Sequence, residues 1–165
     1  MKTILSGIFI FLLVFSSCKE EKLLEKISPE YSGIQFNNEV TDNDTLNVLD
    51  EENIYNGGGV GIGDFNGDGF PDIYLAGNMV ENKLYLNKGD FRFQDITREA
   101  GVSGEGRWSR GISVVDINTD GLNDIYISAT ILRPAIKREN ILYINQGVND
   151  TGVPVFKNMA SEYGL

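Results

Sequence analysis

After residue 56 the chain alternates between short apolar runs and turns rich in glycine, asparagine and aspartate. Val60-Gly61-Ile62, Ile73-Tyr74-Leu75, Leu84-Tyr85-Leu86 and Phe93 mark one series of β-prone runs. Ile112-Ser113-Val114, Ile125-Tyr126-Ile127, Leu142-Tyr143-Ile144 and Phe156 repeat it in the same order. The runs are too short and too rich in Ile, Val, Tyr and Phe for helices, and turns such as Asn87-Lys88-Gly89-Asp90 and Asn145-Gln146-Gly147 bound them. Self-similarity at this period signals a repeat architecture. Four antiparallel strands per unit make one propeller blade. The expected fold is therefore all-β: two antiparallel four-stranded blades of an incomplete β-propeller, over residues 57–103 and 104–165. The second unit carries insertions around Ile131–Arg138 and Gly147–Val153. Gly61, Gly63 and Ser113 suit a crowded innermost strand near the axis. Thr97–Ala100 and Met159–Tyr163 are expected to form short helical turns.

An acidic stretch sits between the first two runs of each unit. Asp64-Phe65-Asn66-Gly67-Asp68-Gly69-Phe70-Pro71-Asp72 and Asp116-Ile117-Asn118-Thr119-Asp120-Gly121-Leu122-Asn123-Asp124 both read D-x-N-x-D-G-x-x-D. Alternate positions of a tightly curled loop point inward, so Asp64, Asn66, Asp68 and Asp72 would offer side-chain oxygens and Phe70 its carbonyl. The second set is Asp116, Asn118, Asp120 and Asp124, with the carbonyl of Leu122. Gly69 and Gly121 permit the sharp turn. Hard oxygens in this number suit Ca²⁺ better than Mg²⁺, which keeps more water. An EF-hand needs Glu at the twelfth position, where Leu75 and Ile127 stand. Each loop is thus expected to be a strand–loop–strand calcium site of structural role.

The first residues differ in kind. Lys2 precedes the apolar run Ile4 to Phe15, which is shorter than the roughly 20 residues of a membrane span and fits a signal-peptide core. Phe15-Ser16-Ser17-Cys18 resembles a bacterial lipobox, with Phe15 where an aliphatic residue is usual. The resemblance implies a signal peptide over 1–17, cleavage before Cys18 and lipid, palmitate included, on Cys18. Residues 18–31 would be a tether. Lys19-Glu20-Glu21 resembles an export tag of surface lipoproteins. Outer-membrane attachment is expected, with the cell surface and the periplasmic face both open. Ser28-Pro29 should end any helical tendency of the tether. Over 32–56, Ser32-Gly33-Ile34-Gln35-Phe36 is expected to be a strand, Asn43-Asp44 a turn, and Gly57-Gly58-Gly59 a place of close backbone approach.

Charge and composition narrow the chemistry. A net charge of −10 disfavours nucleic acid as a partner. With no histidine, imidazole catalysis and His-ligated zinc are excluded, and a single cysteine cannot form an internal disulfide.

Tyr55-Asn56-Gly57-Gly58-Gly59-Val60, the two acidic loops, Leu84-Tyr85-Leu86-Asn87-Lys88-Gly89 and Trp108-Ser109-Arg110-Gly111 together resemble the FG-GAP/VCBS repeat family, whose calcium loops are like those of integrin α propellers. Within it, the chain looks like bacterial lipoproteins with an ASPIC/UnbV domain, related to cartilage acidic protein. The resemblance implies a calcium-binding propeller of about seven blades, and hence that this chain is a truncated or partial member. The expected function is a lipid-anchored, calcium-stabilised envelope module that contacts protein or glycan without catalysis. The alternative is a fragment of a propeller enzyme acting on polysaccharide or small molecules. Glu105, Arg107, Trp108 and Arg110 cluster between the blades, where an exposed Trp and Arg could stack on sugar or Trp108 could instead cover a blade.

Overall fold

The computed structural model describes residues 23–130 and 138–165. The signal-peptide and Cys18 expectations, and the insertion up to residue 137, lie outside them. Two four-stranded antiparallel sheets form the body. The first comprises β1 (Val60–Gly63), β2 (Asp72–Leu75), β3 (Lys83–Asn87) and β4 (Phe93–Asp95), in that order. The second comprises β5 (Ser109–Val115), β6 (Asp124–Ala129), β7 (Ile141–Val148) and β8 (Pro154–Asn158), again in order. Their registers correspond residue for residue. Gly61 opposes Tyr74 as Ser113 opposes Tyr126; Tyr74 opposes Leu84 as Tyr126 opposes Leu142; Asn87 opposes Phe93 as Asn145 opposes Phe156. The all-β, two-blade architecture read from the sequence is the one observed. The extra residues after Asn145 are absorbed by a register shift between Asn145 and Val148 and by a turn in which Asn149 Oδ1 accepts the N–H groups of Thr151 and Val153.

Period-two alternation decides which side chains enter the core. Tyr74, Leu84 and Leu86 of the first sheet point toward Ile125, Ile127, Ile141 and Tyr143 of the second, with Ile112 and Val114 packed at the margin. Phe65 and Phe156 meet edge to face, with ring centroids 5.9 Å apart. Each buried aliphatic or aromatic side chain here contributes about 1.5–3 kcal/mol. The Tyr74 hydroxyl donates to Val102 O at 2.7 Å and accepts from Asn82 Nδ2 at 2.9 Å, so its burial leaves no polar atom stranded. Burial pushes the Tyr143 phenol up to about 12, while the N–H of Gly104, which donates to its oxygen, works the other way. The opposite face of the second sheet carries a smaller cluster of Leu142, Ile144 and Ala160, with Tyr126 and Met159 against it.

The inner strands approach closely because they lack side chains. Gly59 N–H donates to Arg110 O at 2.6 Å, and Ala76 N–H donates to Gly59 O at 2.9 Å. A Cβ on Gly58 would lie 2.0 Å from Ala76 O, and one on Gly59 2.5 Å from Arg110 O. On Gly61 it would meet Ile112 Cγ2 at 2.6 Å. The close approach expected of the glycine run is therefore real at Gly58 and Gly59. Gly57 serves differently, by its positive φ of 76°.

The lead-in departs from expectation. Ser28 is extended, as a residue before proline should be, but Pro29 begins a helical turn, α1 (Pro29–Ser32), rather than ending one. The strand expected over Ser32–Phe36 does not form. Gly33 caps α1 in the left-handed region, and the segment crosses the outer face of the first sheet without joining its ladder. There it borders an apolar cavity of about 490 Å³ lined by Ile27, Ile34, Ile62, Ile73, Phe91 and Phe93. Farther on, Asn38 and Asn78 exchange two hydrogen bonds, at 2.7 and 2.9 Å, which pin the lead-in to the β2–β3 turn. Asn43 organises its turn by accepting from Thr45 and Leu46. Thr97–Ala100 forms the one-turn helix α2, whereas the stretch after Met159 is a turn with Tyr163 N–H donating to Met159 O. Among the described residues no helix is long and apolar enough to cross a membrane.

Replacing Gly59 by Ala is expected to lower stability by about 1–3 kcal/mol, the usual cost of overpacking, because the obstructing atoms are backbone. Urea unfolding measures it, and an unchanged midpoint would contradict the packing described.

Candidate metal loops

Each acidic loop joins the first strand of its sheet to the second, so the strands fix both of its ends. Within the first loop, Asp64 gathers backbone donors. Its Oδ1 accepts from Gly67 N–H at 2.7 Å and Asp68 N–H at 3.2 Å, and its Oδ2 from Gly69 N–H at 2.8 Å. Asn66 Oδ1 accepts from Asp68 N–H, Asn66 Nδ2 donates to Asp68 Oδ2, and Asp68 Oδ1 accepts from Phe70 N–H. Gly67 and Gly69 supply the positive φ values, 76° and 85°, that curl the chain.

The second loop repeats this pattern with Asp116, Asn118 and Asp120. Asp116 accepts from Asp120 and Gly121, Asn118 bonds Asp120 in both directions, and Asp120 accepts from Leu122. Gly121 has the expected positive φ, 88°. One difference is costly. Thr119, where the first loop has Gly67, holds φ at 60°, a region that a β-branched residue enters with strain.

The last aspartate of each loop is buried and bridges three segments. Asp72 Oδ2 accepts from Phe65 N–H at 2.9 Å and its Oδ1 from Asn87 N–H at 2.8 Å. Asp124 does the same with Ile117 at 3.0 Å and Asn145 at 2.8 Å. Each carboxylate thus ties the loop entrance to an asparagine of the third strand. Burial pushes the Asp72 carboxyl up to about 6, opposed by the Asn87 and Phe65 N–H groups and increased by the charges of Asp68 and Asp64. The ion pairs formed among the described residues involve Asp95, Glu105, Glu139 and Glu162, so no lysine or arginine neutralises a loop carboxylate there.

As they stand, the carboxylates serve backbone N–H groups. Among the described residues no group of three or more carboxylate, histidine or cysteine side chains is arranged to hold a metal ion. The donor chemistry nevertheless fits a hard cation. A carboxylate offers about four lone-pair sites. Asp72 and Asp68 each use two in the bonds above and Asp64 three, so every one retains capacity. Among the described residues no cation compensates the three negative charges of the loop, and the side chains of Asn66 and Asp68 are exposed enough to turn.

Four contributions are not evident from the loop pattern alone. Phe65 is a core anchor at the second position of its loop, whereas its counterpart Ile117 is exposed. Asn87 Nδ2 donates to Pro71 O within its own blade. Asn123 and Asn145 reach the other blade, to Asp64 O and Phe65 O, both at 2.8 Å. The sequence signals were an aromatic residue inside a polar loop and the asparagine repeated in each third strand.

The group considered for catalysis is differently employed. Trp108 is wholly buried, so it cannot stack on a sugar at the surface. Arg107 pairs with Glu105 and, at 3.8 Å, with Glu139, while Glu105 also accepts from Asn158. Arg110 donates to Thr130 Oγ1 and to Asn53 O, fastening the lead-in to β5.

Residues 64–127 match the family model described as the FG-GAP-like repeat. Over 74 residues the chain is 36% identical to cartilage acidic protein 1 of Xenopus tropicalis, covering 44% of this chain and 11% of that protein. Over 72 residues it is 36% identical to cartilage acidic protein 1 of Homo sapiens, covering 43% and 11%. The matched part thus spans about a tenth of the length of these relatives.

Asp124→Ala is expected to destabilise the chain by about 2–5 kcal/mol even in chelator, because it strands the N–H groups of Ile117 and Asn145. Chemical denaturation checks this; a loss below about 0.5 kcal/mol would deny the bridge its structural weight.

Proposed function

From a chain that carries an FG-GAP-like repeat over residues 64–127 and two four-stranded sheets, a β-propeller-like module, we propose a calcium-stabilised, lipid-anchored module of the cell envelope that binds protein or glycan and performs no catalysis. The observation that carries the reading is the duplication of one loop's donor set and closing bonds. Both copies place three carboxylates, an amide oxygen and a backbone carbonyl on a curled turn, and both close on a buried aspartate. Calcium bound there would supply the positive charge that no lysine or arginine among the described residues provides. Asp64, Asn66, Asp68, Asp72 and the carbonyl of Phe70 would hold it in the first loop. Asp116, Asn118, Asp120, Asp124 and the carbonyl of Leu122 would hold it in the second. The non-catalytic reading draws support from Glu105, Arg107, Trp108 and Arg110, which are spent on packing and on pinning the lead-in. Lipid on Cys18 would place the module on the outer membrane, at the cell surface or its periplasmic face.

Calcium is expected to raise the melting temperature of the full chain by several degrees over chelator. At a hundredfold excess over Kd each site adds about 2.7 kcal/mol. Asp68→Ala with Asp120→Ala should abolish the difference; identical wild-type curves with and without calcium would refute the structural metal. Separately, Cys18→Ala should move the protein from the membrane fraction to the soluble one, and continued sedimentation with membranes would refute lipid anchoring.

A further inference from the structure

Two asparagines of the second blade hold the backbone of the first blade's loop. Asn123 occupies the eighth position of the second loop, between Leu122 and Asp124. Its Nδ2 donates to Asp64 O at 2.8 Å, across 59 residues of chain. Space for the amide is kept by Gly63, where a Cβ would lie 3.4 Å from Asn123 Nδ2 and 2.8 Å from Val114 Cγ1. Asn145 is buried and acts on both loops at once. Its N–H donates to Asp124 Oδ1 at 2.8 Å, and its Nδ2 donates to Phe65 O at 2.8 Å and to Asn123 O at 3.3 Å.

The two peptide units that enter the first loop are therefore fixed from outside it. The carbonyls of Asp64 and Phe65 rest on the second blade, while Phe65 N–H is held by Asp72 of the first loop. The matching places in the first unit do not reach out in this way. Pro71 stands where Asn123 does and has no amide, and Asn87 donates to Pro71 O inside its own blade.

We infer that Asn123 and Asn145 are positioning residues that transmit closure of the second loop to the first, so that the two calcium sites fill with positive coupling. An ion in the second loop would order Leu122–Asp124 and with them the Asn123 amide. The first loop would then lose less conformational freedom on closing, which appears as tighter binding there. Linkage makes the effect reciprocal. The inference rests on the calcium reading above, and the experiment distinguishes failure of the one from failure of the other.

The test is a titration of the full chain with calcium alone, followed by amide hydrogen exchange. Gly67 and Gly69 report the first loop and Gly121 the second. Asp116→Asn disables the second loop. It is expected to raise the calcium midpoint at Gly67 and Gly69 about fivefold, the worth of one hydrogen bond. Asn123→Pro installs the residue that the first loop already tolerates at that place, and Asn123→Ala removes the same donor by another route. In either background the first-loop midpoint is already raised and Asp116→Asn adds a smaller further rise, carried by Asn145 alone. Protection of the Tyr74 and Leu84 amides shows that each variant is folded. A folded Asp116→Asn chain with an unchanged first-loop midpoint overturns the coupling and leaves the loops as independent calcium sites. An Asn123 variant that lowers stability in chelator yet keeps the full response to Asp116→Asn also overturns it. Absence of calcium-dependent protection in both wild-type loops overturns the calcium reading and the coupling together.

Discussion

A buried carboxylate with backbone partners on both sides is the constraint around which each sheet is arranged. Asp72 and Asp124 begin the second strand of their sheets, yet their oxygens are claimed by the loop before and the third strand after. Removing a charge from water is expensive unless hydrogen bonds replace the lost solvent. That requirement brings the loop entrance and the third strand together in one place. The strand order, the hairpin length and the inward turn of the acidic loop all follow from satisfying those two oxygens.

Between the sheets the governing fact is the absence of side chains. Gly59 and Gly61 let β1 lie against β5 closely enough for a backbone hydrogen bond between blades. Away from that contact the sheets diverge, and larger residues such as Phe65, Phe156, Tyr74 and Tyr143 fill the wedge. Small residues inside and large ones outside give the taper of a propeller sector. The polar ends of the wedge are closed by amides: Asn78 and Asn82 at one end, Asn123 and Asn145 at the other.

Much of this was legible in the sequence because it is written twice. The β-prone runs, the glycine at the sixth position of each loop and the position of the insertions emerge from laying one unit over the other. What was not legible depends on neighbours that the local pattern does not specify. Ser32–Phe36 alternates like a strand but finds no ladder edge, so it lies across a face instead. Trp108 sits in what reads as a connection, yet its ring is wholly buried. The reach of Asn123 to Asp64 depends on how one blade is turned against the next, a rotation that no spacing within either unit encodes. Carboxylate spacing, likewise, names a set of oxygens without fixing whether they face an ion or their own backbone.

The bond from Asn145 to Phe65 O spans 80 residues. Most other pairings in the molecule join neighbours in a hairpin, where the entropy of closing a short loop is small. The first acidic loop is thus shaped early by local turns but completed only when the third strand of the following blade arrives. On a ribosome, where the chain emerges in order, the loop nearest the N-terminus would be among the last parts to become rigid. The first blade's acidic loop is thus completed by contacts that the second blade supplies.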